Sequence, residues 1–106
     1  MSTYRMSDGS VVKTENSSAH WDEDTRWDGR NHVSLATGSQ WEHETLYRSR
    51  RGRYYIERVS QWQGSTPGAE WVSNEEATRW LIANNHNPGD ADWPEELTEL
   101  AEEVTE

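Results

Sequence analysis

The stretch EHETLYRSRRGRYYIERVSQW, residues 42–62, decides the fold. Residues 53–62 are rich in aromatic and β-branched side chains, and with residues 42–49 they flank Arg50-Arg51-Gly52. A type I turn closed by a glycine in the left-handed region fits that connection, because glycine has no Cβ to clash there. The spacing predicts an antiparallel hairpin. Side chains alternate along a strand, so Tyr54, Ile56, Arg58, Ser60 and Trp62 share one face, and Tyr55, Glu57 and Val59 the other. Both faces carry bulky residues, so both are expected to be partly covered.

Towards the N-terminus, Tyr4-Arg5-Met6 and Val11-Val12-Lys13 flank Ser7-Asp8-Gly9-Ser10, and Asp-Gly is a strong hairpin turn signal. Asn16-Ser17-Ser18 predicts the cap of a short helix running through Trp21 and Asp24. Gly29-Arg30-Asn31 reads as a turn, residues 32–36 as a weakly alternating strand, and residues 37–39 as loop. Beyond the central hairpin come a loop over 63–68 and a short strand over 69–72. Ser73-Asn74-Glu75-Glu76 has the form of a capping box, in which the serine hydroxyl and the glutamate carboxylate satisfy two backbone amides at a helix start. Ala77, Trp80 and Leu81 follow as an apolar stripe, and residues 84–89 end the helix. A second helix is expected from Pro94. Its Trp93, Leu97, Leu100, Ala101 and Val104 recur on one helical face. Glu95 and Glu96 suit its first turn, whereas Glu102, Glu103 and Glu106 oppose the dipole at its end, which is expected to fray. The expected fold is α+β: an antiparallel sheet of about four to five strands, one helix packed on it, and a C-terminal acidic helix. Residues 1–106 form one domain, with 90–106 as its acidic helix or tail.

Hydrophobic residues make up 31% of the chain, which is low for a globular protein, but there are seven Trp and four Tyr. Each large ring can bury about 150–250 Å², so a thin aromatic core replaces missing aliphatic residues. The absence of cysteine excludes disulfides and thiolate metal sites. Residues 1–10 hold no apolar leader segment, and no apolar run approaches spanning length. A cytoplasmic protein is expected.

No residue pattern demands catalysis. His43-Glu44-Thr45-Leu46-Tyr47 begins like the HExxH zinc motif, but it ends in tyrosine and sits in an expected strand. There is no nucleophile elbow and no phosphate-binding loop. No enzyme, no cofactor and no metal are expected, with a small metal-dependent enzyme around His43 and Glu44 as the minor alternative.

Charge is more informative. The formal net charge is −10, from 20 acids and 10 bases. Such a field disfavours nucleic acid or an anionic membrane and suits a basic protein surface. Asp22, Glu23, Asp24 and Asp28 surround Trp21 and Trp27. Eight acids and no base lie from position 90 to position 106. Glu95, Glu96, Glu99, Glu102 and Glu103 among them could imitate the negative row of a nucleic-acid backbone, or simply keep a helix face solvated. Conversely, Arg48, Arg50, Arg51, Arg53 and Arg58 are five of the 10 bases. With Tyr55 and its neighbours they could bind single-stranded nucleic acid, or they could neutralise acids of this same chain. Trp62, Trp71 and Trp80 are expected in the core, and one or two of Trp21, Trp27, Trp41 and Trp93 at the surface.

The block WEHETLYRSRRGRYYIERVSQWQG, residues 41–64, followed by AEWVSNEEATRWLIANNH, residues 69–86, resembles small uncharacterised bacterial proteins carried on phages, plasmids and other mobile elements. That resemblance implies no activity and no site residues. Size, acidity and absence of cysteine are similar, as a class, to anti-CRISPR and DNA-mimic inhibitors. The expected function is a non-catalytic acidic inhibitor that engages a basic, nucleic-acid-handling protein through Asp22, Glu23, Asp24 and Asp28 and through Glu95, Glu96, Glu99, Glu102 and Glu103, and the alternative is a nucleic-acid-binding module built on the arginine hairpin.

Overall fold

The structure, a computed structural model, describes residues 3–27, 29–30, 32–38, 41–60 and 67–104. The predicted central hairpin is β6 (Glu42–Arg48) and β7 (Tyr54–Ser60), paired with Leu46 opposite Ile56. At its turn the Gly52 amide donates to the Ser49 carbonyl at 2.9 Å, and Gly52 takes φ +90°, the left-handed conformation the sequence demanded. β8 (Gly68–Val72) adds to β7, and β3 (Ala19–Asp22) adds to β6. The result is a four-stranded antiparallel sheet of order β3-β6-β7-β8.

Alternation gives the sheet two faces, and each is covered. On one face Trp21, Leu46, Tyr54 and Ile56 pack against Ala77, Trp80 and Leu81 of α1 (Asn74–Ala83), Ala101 of α2 (Thr98–Val104) and Leu97 of the 3-10 turn before α2. On the other face lie His20, Tyr47, Tyr55 and Trp71, successive partners across the four strands. Their rings are 5.9, 5.2 and 5.6 Å apart in that order. A hairpin of β1 (Thr3–Arg5) and β2 (Val11–Lys13) packs over this row with Tyr4, Met6 and Val12. The core is therefore two shallow aromatic layers on either side of one sheet, as the two-faced pattern of residues 53–60 implied.

The helix starts follow their local chemistry. Ser73 Oγ accepts from the Glu76 amide at 3.1 Å, and Glu76 Oε1 accepts from the Ser73 amide at 3.3 Å. Asn85, at φ +64°, turns the chain out of α1. Pro94 precedes a single 3-10 turn (Glu95–Leu97), and α2 begins only at Thr98.

Two expectations are corrected. Residues 16–24 are not a helix: a 3-10 turn at Thr14–Asn16 leads into β3. Pairing with β6 sends Trp21 into the helix-side core, where it is 4% exposed and donates through Nε1 to the Asp92 carbonyl at 2.9 Å. Tertiary pairing overrides the serine-rich cap signal here. The strand expected over 32–36 stops at Ser34, as β5 (His32–Ser34), because the Ser34 hydroxyl accepts from the amides of Ala36 and Thr37 and bends the chain. Its partner β4 (Thr25–Trp27) has no alternating pattern of its own. The loop expected at 63–68 falls largely on residues 61–66, which with Trp62, Asp28 and Glu106 lie outside the described residues. Among the described residues no helix is long and apolar enough to cross a membrane.

Candidate functional site

The helix layer carries most of the surplus negative charge. From position 73 to position 104 there are nine acids and one base, Arg79. Leu97 and Ala101 turn inward, so Glu95, Glu99, Glu102 and Glu103 are left exposed on the outer face. None of the four makes an ion pair among the described residues. Glu96 behaves differently. Arg48 Nε lies 2.9 Å from its Oε1, and the Tyr54 hydroxyl donates to the same oxygen at 2.6 Å. Partial burial pushes its carboxyl up, but the Tyr54 hydroxyl, its own backbone amide and the Arg48 charge together outweigh that and hold it below its ordinary value.

Among the described residues of the second acidic group, Glu23 and Asp24 are bonded inside the fold through their carboxylates and Asp22 is not. Asp22 is exposed, and its carbonyl accepts from His86 Nε2 at 2.9 Å. Asp24 accepts from the Asn85 side-chain amide at 2.5 Å and from the Thr25 amide at 2.8 Å, and these bonds lower its pKa. Glu23, expected at the surface, points inward with its side chain 12% exposed. It accepts from Ser34 Oγ, from His43 Nδ1 at 2.5 Å and from the Glu44 amide at 3.3 Å. The carboxylate sits between hydroxyl and imidazole, so the ring is not placed to take the serine proton as nucleophilic catalysis requires. Glu44 is also internal: Arg58 Nε holds one oxygen at 2.6 Å and Trp80 Nε1 the other at 3.1 Å. Both members of the expected minor alternative, His43 and Glu44, are thereby occupied as structural groups.

One cluster was missed in the sequence. His86, Asp90 and Asp92 bring a ligand-type atom each within 4.8 Å of one another. Asp90 also accepts the Asn87 amide at 2.9 Å, an Asx-type turn contact. Asp90 thus stabilises the bend after α1, while the His86 ring ties that bend to β3.

The five arginines do not form one patch, because strand alternation divides them. Arg48 and Arg58 lie on the helix side, paired with Glu96 and with Glu44 and Glu70. The glutamate bonds raise the Arg58 pKa further. Arg53 lies on the hairpin side, with its guanidinium carbon 3.8 Å from the Trp71 ring centre and Nη1 3.2 Å from Asp8 Oδ2. Asp8 is held well below the carboxylate range, chiefly by the Ser10 hydroxyl and amide, with Arg53 contributing. Arg50 and Arg51 stand exposed at the turn. They line a groove of about 580 Å³ together with Lys13, Arg53, Tyr55 and Trp71. Lys13 and Trp71 were absent from the expected set. Pairing of β8 with β7 sets Trp71 beside Tyr55, and the docking of the N-terminal hairpin on the sheet brings Lys13 to them, which no local pattern encodes.

Of the tryptophans, Trp21, Trp80 and Trp93 are buried, and Trp27 and Trp41 are 61% and 40% exposed. Comparison with protein-family models, with curated proteins and with solved structures found no match for this chain.

Proposed function

We propose that the protein is a non-catalytic, cytoplasmic binding protein that docks its acidic helix on a basic surface of a nucleic-acid-handling partner, as an inhibitor of the anti-CRISPR or DNA-mimic type does. The observation that carries this reading is the unneutralised ridge Glu95, Glu99, Glu102 and Glu103 on the outer face of the helix layer. From Glu95 in the 3-10 turn to Glu103 in α2 the chain rises roughly 12–14 Å, so the ridge presents about one charge per 4–5 Å, comparable to the ~3.4 Å axial rise per phosphate along one strand of duplex DNA. Internal arginines take up Glu96 and Glu44 but leave this row alone.

The test is affinity capture from cell extract at low and high salt, with protein identification, using the wild type and a variant with Glu95, Glu99, Glu102 and Glu103 changed to Gln. The wild type is expected to retain nucleic-acid-binding proteins at low salt and release them at high salt. Identical captured sets from the two proteins would remove the acidic ridge from consideration.

A further inference from the structure

The concave surface on the hairpin side has a different chemistry and bears on a second partner, independent of the acidic ridge. One wall is β2 and the other is the β6–β7 turn, over a floor of Tyr55 and Trp71. Its volume of about 580 Å³ lies within the ~300–1,000 Å³ usual for binding clefts. Four cations line it, Lys13, Arg50, Arg51 and Arg53. Arg53 is fixed between the Trp71 ring and Asp8. The other three make no ion pair among the described residues. In a chain with 20 acids for 10 bases, three such cations at one mouth are charge kept apart from internal neutralisation.

The other wall offers hydrogen bonds. Among the described residues β2 pairs with β1 alone. The Met6 amide donates to the Ser10 carbonyl at 2.8 Å, which sets the phase of the ladder. Bonding alternates along an antiparallel pair, so Val12 bonds towards β1 while the backbone groups of Val11 and Lys13 face away from it, into the groove. Val11 is 56% exposed beside them. An open strand edge opposite a row of cations suits a peptide that adds as a strand. Single-stranded nucleic acid needs open ring faces on which to stack, and those faces are taken here. Tyr55 is fully buried, stacked on Tyr47 and edge-on to Trp71, and Arg53 covers Trp71.

We infer that this groove docks an extended acidic segment of a partner protein, which adds as a strand to the free edge of β2 and sets its carboxylates against Lys13, Arg50, Arg51 and Arg53. The experiment is fluorescence anisotropy of a dye-labelled ten-residue peptide alternating Glu and Val, titrated with the full chain. Parallel arms use the same peptide N-methylated at alternate residues, a Lys/Val peptide and a dye-labelled oligothymidine. The acidic peptide is expected to bind with salt-sensitive affinity. The Arg50→Glu/Arg51→Glu variant, changed only at the exposed turn, is expected to weaken binding at least tenfold with an unchanged melting temperature. N-methylation is expected to weaken it similarly, and the amide resonances of Val11 and Lys13 to shift on binding. Equal affinity for the Lys/Val peptide, tighter binding of oligothymidine, or indifference to the double substitution or to N-methylation would overturn the proposal.

Discussion

Trp80 and Glu44 meet inside the protein: the indole Nε1 donates to Glu44 Oε1 at 3.1 Å, and both residues are 8% exposed. Arg58 Nε holds the second carboxylate oxygen at 2.6 Å from its place on β7. One carboxylate thus joins β6, β7 and α1, and a buried charge is tolerated because both its oxygens have donors. Replacing Glu44 by Ala strands the indole N–H, while Arg58, with its side chain 58% exposed, can turn to water. The expected cost is about 2 kcal/mol, with Glu44→Gln costing about half as much. Urea unfolding of the two variants checks this, and a loss below a few tenths of a kcal/mol would show that the bridge adds nothing to stability.

Stability should fall at both ends of the pH scale, for opposite reasons. Asp8, Asp24 and Glu96 have pKa values below their ordinary ones. A group depressed in the folded state stabilises above its unfolded pKa of about 4, and that contribution is lost as pH falls through the folded value. Tyr47, Tyr54 and Tyr55 shift the other way, chiefly through burial, with Tyr47 pushed up to about 12. A raised group stabilises fully below its unfolded pKa of about 10 and loses that contribution as pH climbs through the folded value. Melting temperature should therefore be level from about pH 6 to 9 and fall below about 4 and above about 10. Tyrosinate absorbance should rise together with unfolding. A tyrosine titration complete by about pH 10.5 in still-folded protein would contradict the burial of these rings.

Two turns that could be read locally should also fail locally. Gly52 sits at φ +90°, so Gly52→Ala is strained whatever space surrounds it. The expected loss is about 1 kcal/mol. Ser73→Ala removes one arm of the capping box and should cost a similar ~1 kcal/mol. Circular dichroism melts of the single and double variants should show additive losses, because the two sites share no partner.

Such sites were legible because the chemistry that fixes them lies within four residues of sequence. The two-faced hairpin was legible for the same reason: alternation at Tyr54, Tyr55 and Ile56 already demanded cover on both sides. The placement of β3 was not. Trp21 becomes a core residue only by pairing with Leu46, 25 positions away, and a serine-rich approach hides that. The division of the arginines was half legible, since alternation separates Arg53 from Arg58. What each then meets depends on which layer covers which face. The groove was hidden altogether, because Lys13 and Trp71 are brought together by the docking of one hairpin on a distant sheet.

The acidic ridge can be separated from the fold by its own electrostatics. Glu102 and Glu103 lie near the C-terminal end of α2, where the helix dipole disfavours negative charge and no base offsets it. A solvated helix face with no other role would gain from positive charge there, so Glu102→Lys/Glu103→Lys should raise stability by about 0.3–1 kcal/mol per site. The proposed docking needs the opposite sign of charge at the same two positions. The double variant should therefore melt higher than the wild type and yet lose its captured basic partners. If it melts higher and captures the same partners, the acids at these positions are not the docking surface. If it melts lower, Glu102 and Glu103 make stabilising contacts within the fold, and their expected freedom on the outer face of α2 is wrong.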